Sequence, residues 1–120
     1  MRQHERRQFP RIETDVTVEV YTSPHHTAEP EVAEICSVIN LSESGMRFCA
    51  GRRFEQNKLL RLTFLLPDSI IIIRTDARII HLQKRKGNTC DVGVEFSNIG
   101  LPDRKIIRHF VEKHLKSIPG

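Results

Sequence analysis

The chain has no tryptophan, one tyrosine and six phenylalanines. A surface that stacks successive nucleic-acid bases needs exposed aromatic rings. So small a stock, most of it on core-type positions, argues against a single-stranded nucleic-acid binder. Cysteine is scarce as well: Cys36, Cys49 and Cys90 form an odd set without paired spacing. That excludes a disulfide-built scaffold. Each thiol lies in or beside an apolar run, where a reduced, buried cysteine is expected, and a cytoplasmic location follows from that usage. The longest apolar run, Ile70 to Ile73, is far too short to span a bilayer. The polar, charged N-terminus is not a signal peptide. GxSxG, P-loop and GxGxxG motifs are all missing. His4, His25, His26, His81, His109 and His114 show no metal-ligand spacing, and Asp68, Asp76 and Asp91 fall on separate elements. No catalytic residue, metal or cofactor is therefore expected, and the chain reads as a binding module and not an enzyme.

The 120 residues suffice for a single domain with one core. A net charge of +4 suits an anionic partner but is too small for bulk nucleic-acid binding. Val16, Val18 and Val20 alternate with Thr17, Glu19 and Tyr21, which predicts a half-buried strand. Residues 22–31 read as a loop, and a second strand is expected from Val32 to Ile39. Extended structure resumes at Met46–Cys49. Leu60 to Leu66 and Ile70 to Leu82 are further strands, the latter with Ile71, Ile73, Thr75, Ala77 and Ile79 on one face. Lys84 to Asn88 reads as a hairpin loop, and Cys90 to Phe96 as a strand. The period then changes: Ile106, Ile107, Phe110, Val111, Leu115 and Ile118 recur at helical steps, between Pro102-Asp103 and Pro119-Gly120. The fold expected is mainly β. Strands at this density favour a closed antiparallel barrel, with the C-terminal helix packed on it.

Two short segments carry the chemistry. Residues 1–11 hold four arginines, among them Arg6, Arg7 and Arg11, in the run Arg-Arg-Gln-Phe-Pro-Arg. A guanidinium is a fixed planar cation that can grip a phosphate or the O6/N7 edge of guanine with paired hydrogen bonds. Further on lies Asn40-Leu41-Ser42-Glu43-Ser44-Gly45, a polar turn in which Asn40, Ser42 and Ser44 can cap backbone groups. Gly45 can take positive φ there at no steric cost. The spacing RxxxR alone is uninformative, since Arg2/Arg6, Arg74/Arg78 and Arg104/Arg108 share it with Arg7/Arg11. Position singles out Arg7/Arg11, ahead of the first strand and of the turn. Arg47 and Arg78 read as surface residues.

The order RxxxR, then NxSxxG, then the late strand Gly93-Val94-Glu95-Phe96 resembles the PilZ domain, the bacterial receptor family for cyclic di-GMP. The resemblance runs from about Glu5 to Leu115. It implies a six-stranded antiparallel barrel with a C-terminal α-helix. It also implies a cyclic di-GMP site of Arg7, Arg11, Asn40, Ser42 and Gly45. Arg6 is an added candidate, which in the family tends to accompany two intercalated ligands. Asn40 stands where many members have Asp and lacks that charge for guanine N1–H and N2–H. On this reading residues 1–11 are a flexible arm that orders over the ligand, residues 12–120 are the barrel and helix, and an unidentified output protein reads the change. Motility, exopolysaccharide or biofilm formation, and virulence are the family's outputs. The alternatives are a non-binding PilZ-like adaptor for a protein partner and a small β-barrel that binds nucleic acid.

Overall fold

The computed structural model describes residues 9–22, 33–52 and 54–117. Its elements are β1 (Ile12–Glu13), β2 (Thr17–Tyr21), β3 (Glu34–Ser42), β4 (Gly45–Ala50), β5 (Leu59–Leu65), β6 (Ile72–Lys84), β7 (Cys90–Ser97) and α1 (Leu101–Ser117). All strand pairs are antiparallel. The order is β1-β3-β2-β5-β6-β7-β4, and a β3–β4 pairing closes the ring. Six strands therefore form a closed barrel, and the short β1 continues the line of β2 along β3, opposite Asn40 and Leu41. Closure removes the open edges that a sheet of this length would otherwise present.

Alternation built the core as expected. Val18, Val20, Leu60, Leu62, Phe64, Ile73, Ala77, Ile79, Val92 and Val94 all point inward and are buried. Phe64 stacks near Phe96 at 6.1 Å between ring centroids, and Phe48 meets Phe54 edge-on at 6.4 Å. Each such pair adds roughly 0.5–1.5 kcal/mol beyond its buried area. None of the seven aromatic rings is exposed: Phe9, Tyr21 and Phe54 are half-buried and the rest are buried. Ile107, Phe110 and Val111 of α1 join the same core. Leu115 is only partly covered, and Ile118 lies outside the described residues.

Some expectations are corrected. Ile71 precedes β6 and is half exposed, so the inward face begins at Ile73. The second strand runs on through Asn40 to Ser42, which shrinks the turn to Glu43 and Ser44. Cys36 and Cys90 are buried free thiols, but Cys49 is half-buried. Burial, with Glu34 close by, pushes the Cys36 thiol up to about 12, which makes it a poor nucleophile.

Two β-bulges interrupt the alternation, between Val38 and Asn40 in β3 and between Ile79 and His81 in β6. Each inserts a residue and rotates the remainder of its strand. Beyond them Val38 is succeeded by Leu41 as the next buried apolar residue, and Ile79 by the partly buried Leu82. The bulges thereby turn Asn40 and His81 toward the same outer patch of the barrel. Among the described residues no helix is long and apolar enough to cross a membrane.

Candidate functional site

The outer patch is a groove lined by Arg11, Asn40, Ser42, Ser44, Gly45, Met46, Arg47, Ile80, His81, Gly93, Val94 and Glu95. Its floor is set by strand register. Asn40 of β3 pairs with Arg47 of β4, Arg47 with Gly93 of β7, and Gly93 with His81 of β6. One transverse row therefore reads Asn40–Arg47–Gly93–His81. The next outward row is Ser42–Gly45–Glu95. Gly93, lacking a side chain, makes the low point between Arg47 and His81. A Cβ there would stand 3.0 Å from His81 Cβ, so any larger residue would begin to fill the groove.

The turn at the groove's rim is tied internally. Ser42 Oγ lies 3.2 Å from Ser44 Oγ and accepts from the Ser44 amide at 3.2 Å. The Phe96 amide donates to Ser44 O at 2.9 Å, which fastens the turn to β7. Gly45 does not have positive φ; among the described residues that conformation occurs at Asn57, Gly87 and Asn98. Its glycine is required by close approach to β7. A Cβ at position 45 would collide with Val94 O of β7, far inside contact distance.

Buried polar groups concentrate here. Ser42 and Glu43 are two of the four buried polar side chains among the described residues, with Thr75 and Asp91. Glu43, 8% exposed, is held from behind by α1. Arg104 Nε donates to its Oε2 at 2.9 Å, and Arg108 donates to Oε1 from Nε at 3.1 Å and to Oε2 from Nη2 at 3.3 Å. Burial alone would push the carboxyl up, but these hydrogen bonds and charges hold it below the ordinary carboxylate range. The RxxxR pair on the helix is thus a carboxylate clamp, since residues at i and i+4 share a helix face.

On the groove floor the balance is different. Arg47 Nε and His81 Nε2 are buried and have no hydrogen-bond partner among the described residues. An unpartnered buried polar atom is costly, and among the described residues Glu34 Oε1 is the other case. Arg47 and His81 both line a groove that also carries the amide of Asn40, the hydroxyl of Ser42 and the Glu95 carboxylate. This mixture of donors with one carboxylate acceptor suits an anion that also carries a purine edge. Among the described residues no group of three or more His, Cys, Asp or Glu could hold a metal ion.

Of the residues expected at a site, Arg11, Asn40, Ser42 and Gly45 come together in this groove. Arg6 and Arg7 lie outside the described residues. Arg47, read from the sequence as a surface residue, is half-buried in the groove floor, whereas Arg78 is exposed and donates to Asn57 O at 3.3 Å. His81 and Glu95 were not anticipated. Their signal was the glycine in the late strand: residues paired with or flanking a strand glycine line whatever hollow it leaves.

The sequence model of the PilZ domain matches residues 5–113. No curated protein matches the chain. Among solved structures, the inhibitor of motility (MotI/DgrA) of Bacillus subtilis superposes with a TM-score of 0.74 at 21% identity, over 94% of this chain and 53% of that one. The PilZ domain of YcgR from Escherichia coli, solved with c-di-GMP, gives 0.69 at 15% identity and covers 92% of both chains. The K. pneumonia MrkH–c-di-GMP complex gives 0.70 at 12% identity, over 92% of this chain and 52% of that one. The chain thus spans about half the length of the motility inhibitor and of MrkH. With the family's sequence pattern extending over most of the chain, and with the closed barrel and C-terminal helix that the pattern implies, this protein belongs to the PilZ domain family.

Proposed function

We propose that the groove is a cyclic di-GMP receptor site and that the protein acts as a binding module, not as an enzyme. One observation carries this reading: Arg47 Nε and His81 Nε2, buried and unpartnered among the described residues, flank Gly93 in one row with Asn40, with Arg11 and Ser42 at the rim. Cyclic di-GMP presents two phosphodiester charges and two guanine edges. Arg11 and Arg47 suit the phosphates or the O6/N7 edges. Asn40 and Glu95 offer acceptors for guanine N1–H and N2–H, with Glu95 contributing the charge that Asn40 lacks. Gly45 and Gly93 let a flat ligand approach backbone. The YcgR PilZ domain and MrkH, whose fold this chain shares, were solved with c-di-GMP. The absence of an exposed ring among the seven aromatics argues against an oligonucleotide.

Arg6 and Arg7 are proposed to close over the ligand from the arm, and Arg6 to hold a second ligand molecule. Ligand would be met in the cytoplasm, and an output protein would read the ordered arm. Calorimetric titration tests the reading. Cyclic di-GMP should bind and GTP and a short oligonucleotide should not. A charge-assisted hydrogen bond contributes about 1.5–3 kcal/mol, so Arg7→Ala or Arg11→Ala should weaken binding at least about tenfold. Wild-type protein that takes up no cyclic di-GMP, or an Arg11→Ala variant that binds as tightly as wild type, overturns it.

A further inference from the structure

Helix α1 touches the turn and the arm that border the groove without lining it. On one side Arg104 and Arg108 clamp Glu43, the residue next to Ser42 in the turn. On the other, the Arg104 guanidinium lies 5.2 Å from the centre of the Phe9 ring. Phe9 is two residues before Arg11, which lines the groove. Phe9, Pro10, Glu43, Arg108, Val111 and Glu112 close around one small cavity, so the arm, the turn and the helix meet there.

We infer that Glu43 is a positioning residue of the groove: by fixing Arg104 it seats Phe9, and so sets arm and turn in register with each other. The chemistry supports this. An exposed arginine samples many rotamers, whereas one whose Nε is committed to a buried carboxylate presents its plane in a fixed direction. That plane is what an aromatic ring stacks on. Arg108 bridges both carboxylate oxygens and so fixes the carboxylate plane in turn. A ligand that draws Arg11 and Ser42 together must therefore work against, or with, one shared helical element. The two parts of the family's binding signature are coupled here by a pair of arginines belonging to neither part.

The inference rests on the proposed receptor function for its affinity readout, and a second readout is independent of ligand. The chain has no tryptophan, so Phe9→Trp introduces a single fluorescent indole at the arm's seat. In that background, without ligand, acrylamide quenching of the indole should rise about twofold or more on adding Glu43→Gln, as its seat is lost. Adding Arg74→Ala, which removes an exposed charge elsewhere, should leave it unchanged. In calorimetry, Glu43→Gln should weaken cyclic di-GMP binding about tenfold, and Arg108→Ala in the same chain should add little, because the two act as a unit. Should Glu43→Gln fail to fold, Arg104→Lys keeps a charge for Glu43 while removing the stacking plane, and quenching should still rise. Unchanged quenching in these variants, or wild-type affinity with Glu43→Gln, overturns the inference. Wild-type protein that binds no cyclic di-GMP refutes the receptor reading alone, and the quenching result then decides the role of Glu43.

Discussion

At position 45 a methyl group would meet a backbone oxygen, not a movable side chain. Gly45→Ala must therefore separate β4 from β7 at the rim of the groove, at a cost of about 1–3 kcal/mol by analogy with overpacked cores. Urea unfolding should show that loss, and ligand binding should weaken with it. Gly93→Ala is the milder counterpart, since its Cβ would stand 3.0 Å from His81 Cβ, a tight contact relieved by a small shift between β6 and β7. It should lose less stability than Gly45→Ala while still losing affinity, a separation that unfolding and calorimetry together would reveal. Asp91 is a different kind of residue. It is 5% exposed and accepts from Arg85 Nε at 2.9 Å and Nη2 at 2.6 Å, beyond the groove, beside the β6–β7 hairpin. Asp91→Ala should lower stability modestly in urea unfolding, because its partner Arg85 is exposed to solvent screening, with little change in affinity. The motif residues Asn40, Ser42 and Gly45 were legible in the sequence because their spacing is local. Glu43's role was not, because its partners lie 61 and 65 residues further on.

At the scale of elements, period decided what could be read. Strands that alternate cleanly, such as Cys90–Ser97, were evident, and so was the change of step at α1. The bulges were hidden, because an inserted residue makes a strand look merely irregular. In retrospect the three-residue steps from Val38 to Leu41 and from Ile79 to Leu82 were the trace they left. Without those bulges Asn40 and His81 would not share a face, so the missed feature was the one that assembles the site. The clamp between α1 and the turn has a testable pH signature. Hydrogen bonds from Arg104 and Arg108 outweigh burial and depress the Glu43 carboxyl in the folded protein. Stabilisation from a depressed carboxylate is fully present above the unfolded-state value and is lost as pH falls through the lower, folded-state value. Wild type should therefore melt above Glu43→Gln near neutral pH, with the gap shrinking in acid. A gap that widens as pH falls would contradict the clamp.

For the whole molecule, a closed barrel is a stiff platform, and change on binding is expected at the segments outside it. Phe9 already packs against Arg104 of α1, so within residues 1–11 the ordering proposed on binding is expected at the part of the arm that carries Arg6 and Arg7. Backbone NMR relaxation should show the arm stiffening on addition of cyclic di-GMP, with the barrel and α1 unaltered; an arm equally rigid with and without ligand would refute that switch. Every functional proposal depends on where the site lies, and amide shift mapping during a cyclic di-GMP titration tests that location most directly. Saturable shifts are expected at Arg11, Asn40, Ser42, Gly45, Arg47, His81 and Gly93. Silence is expected on the opposite wall around Thr17, Ile35 and Thr63, which line a separate hollow. Shifts centred on that opposite wall, or no saturable shifts at all, would contradict the assignment of the groove.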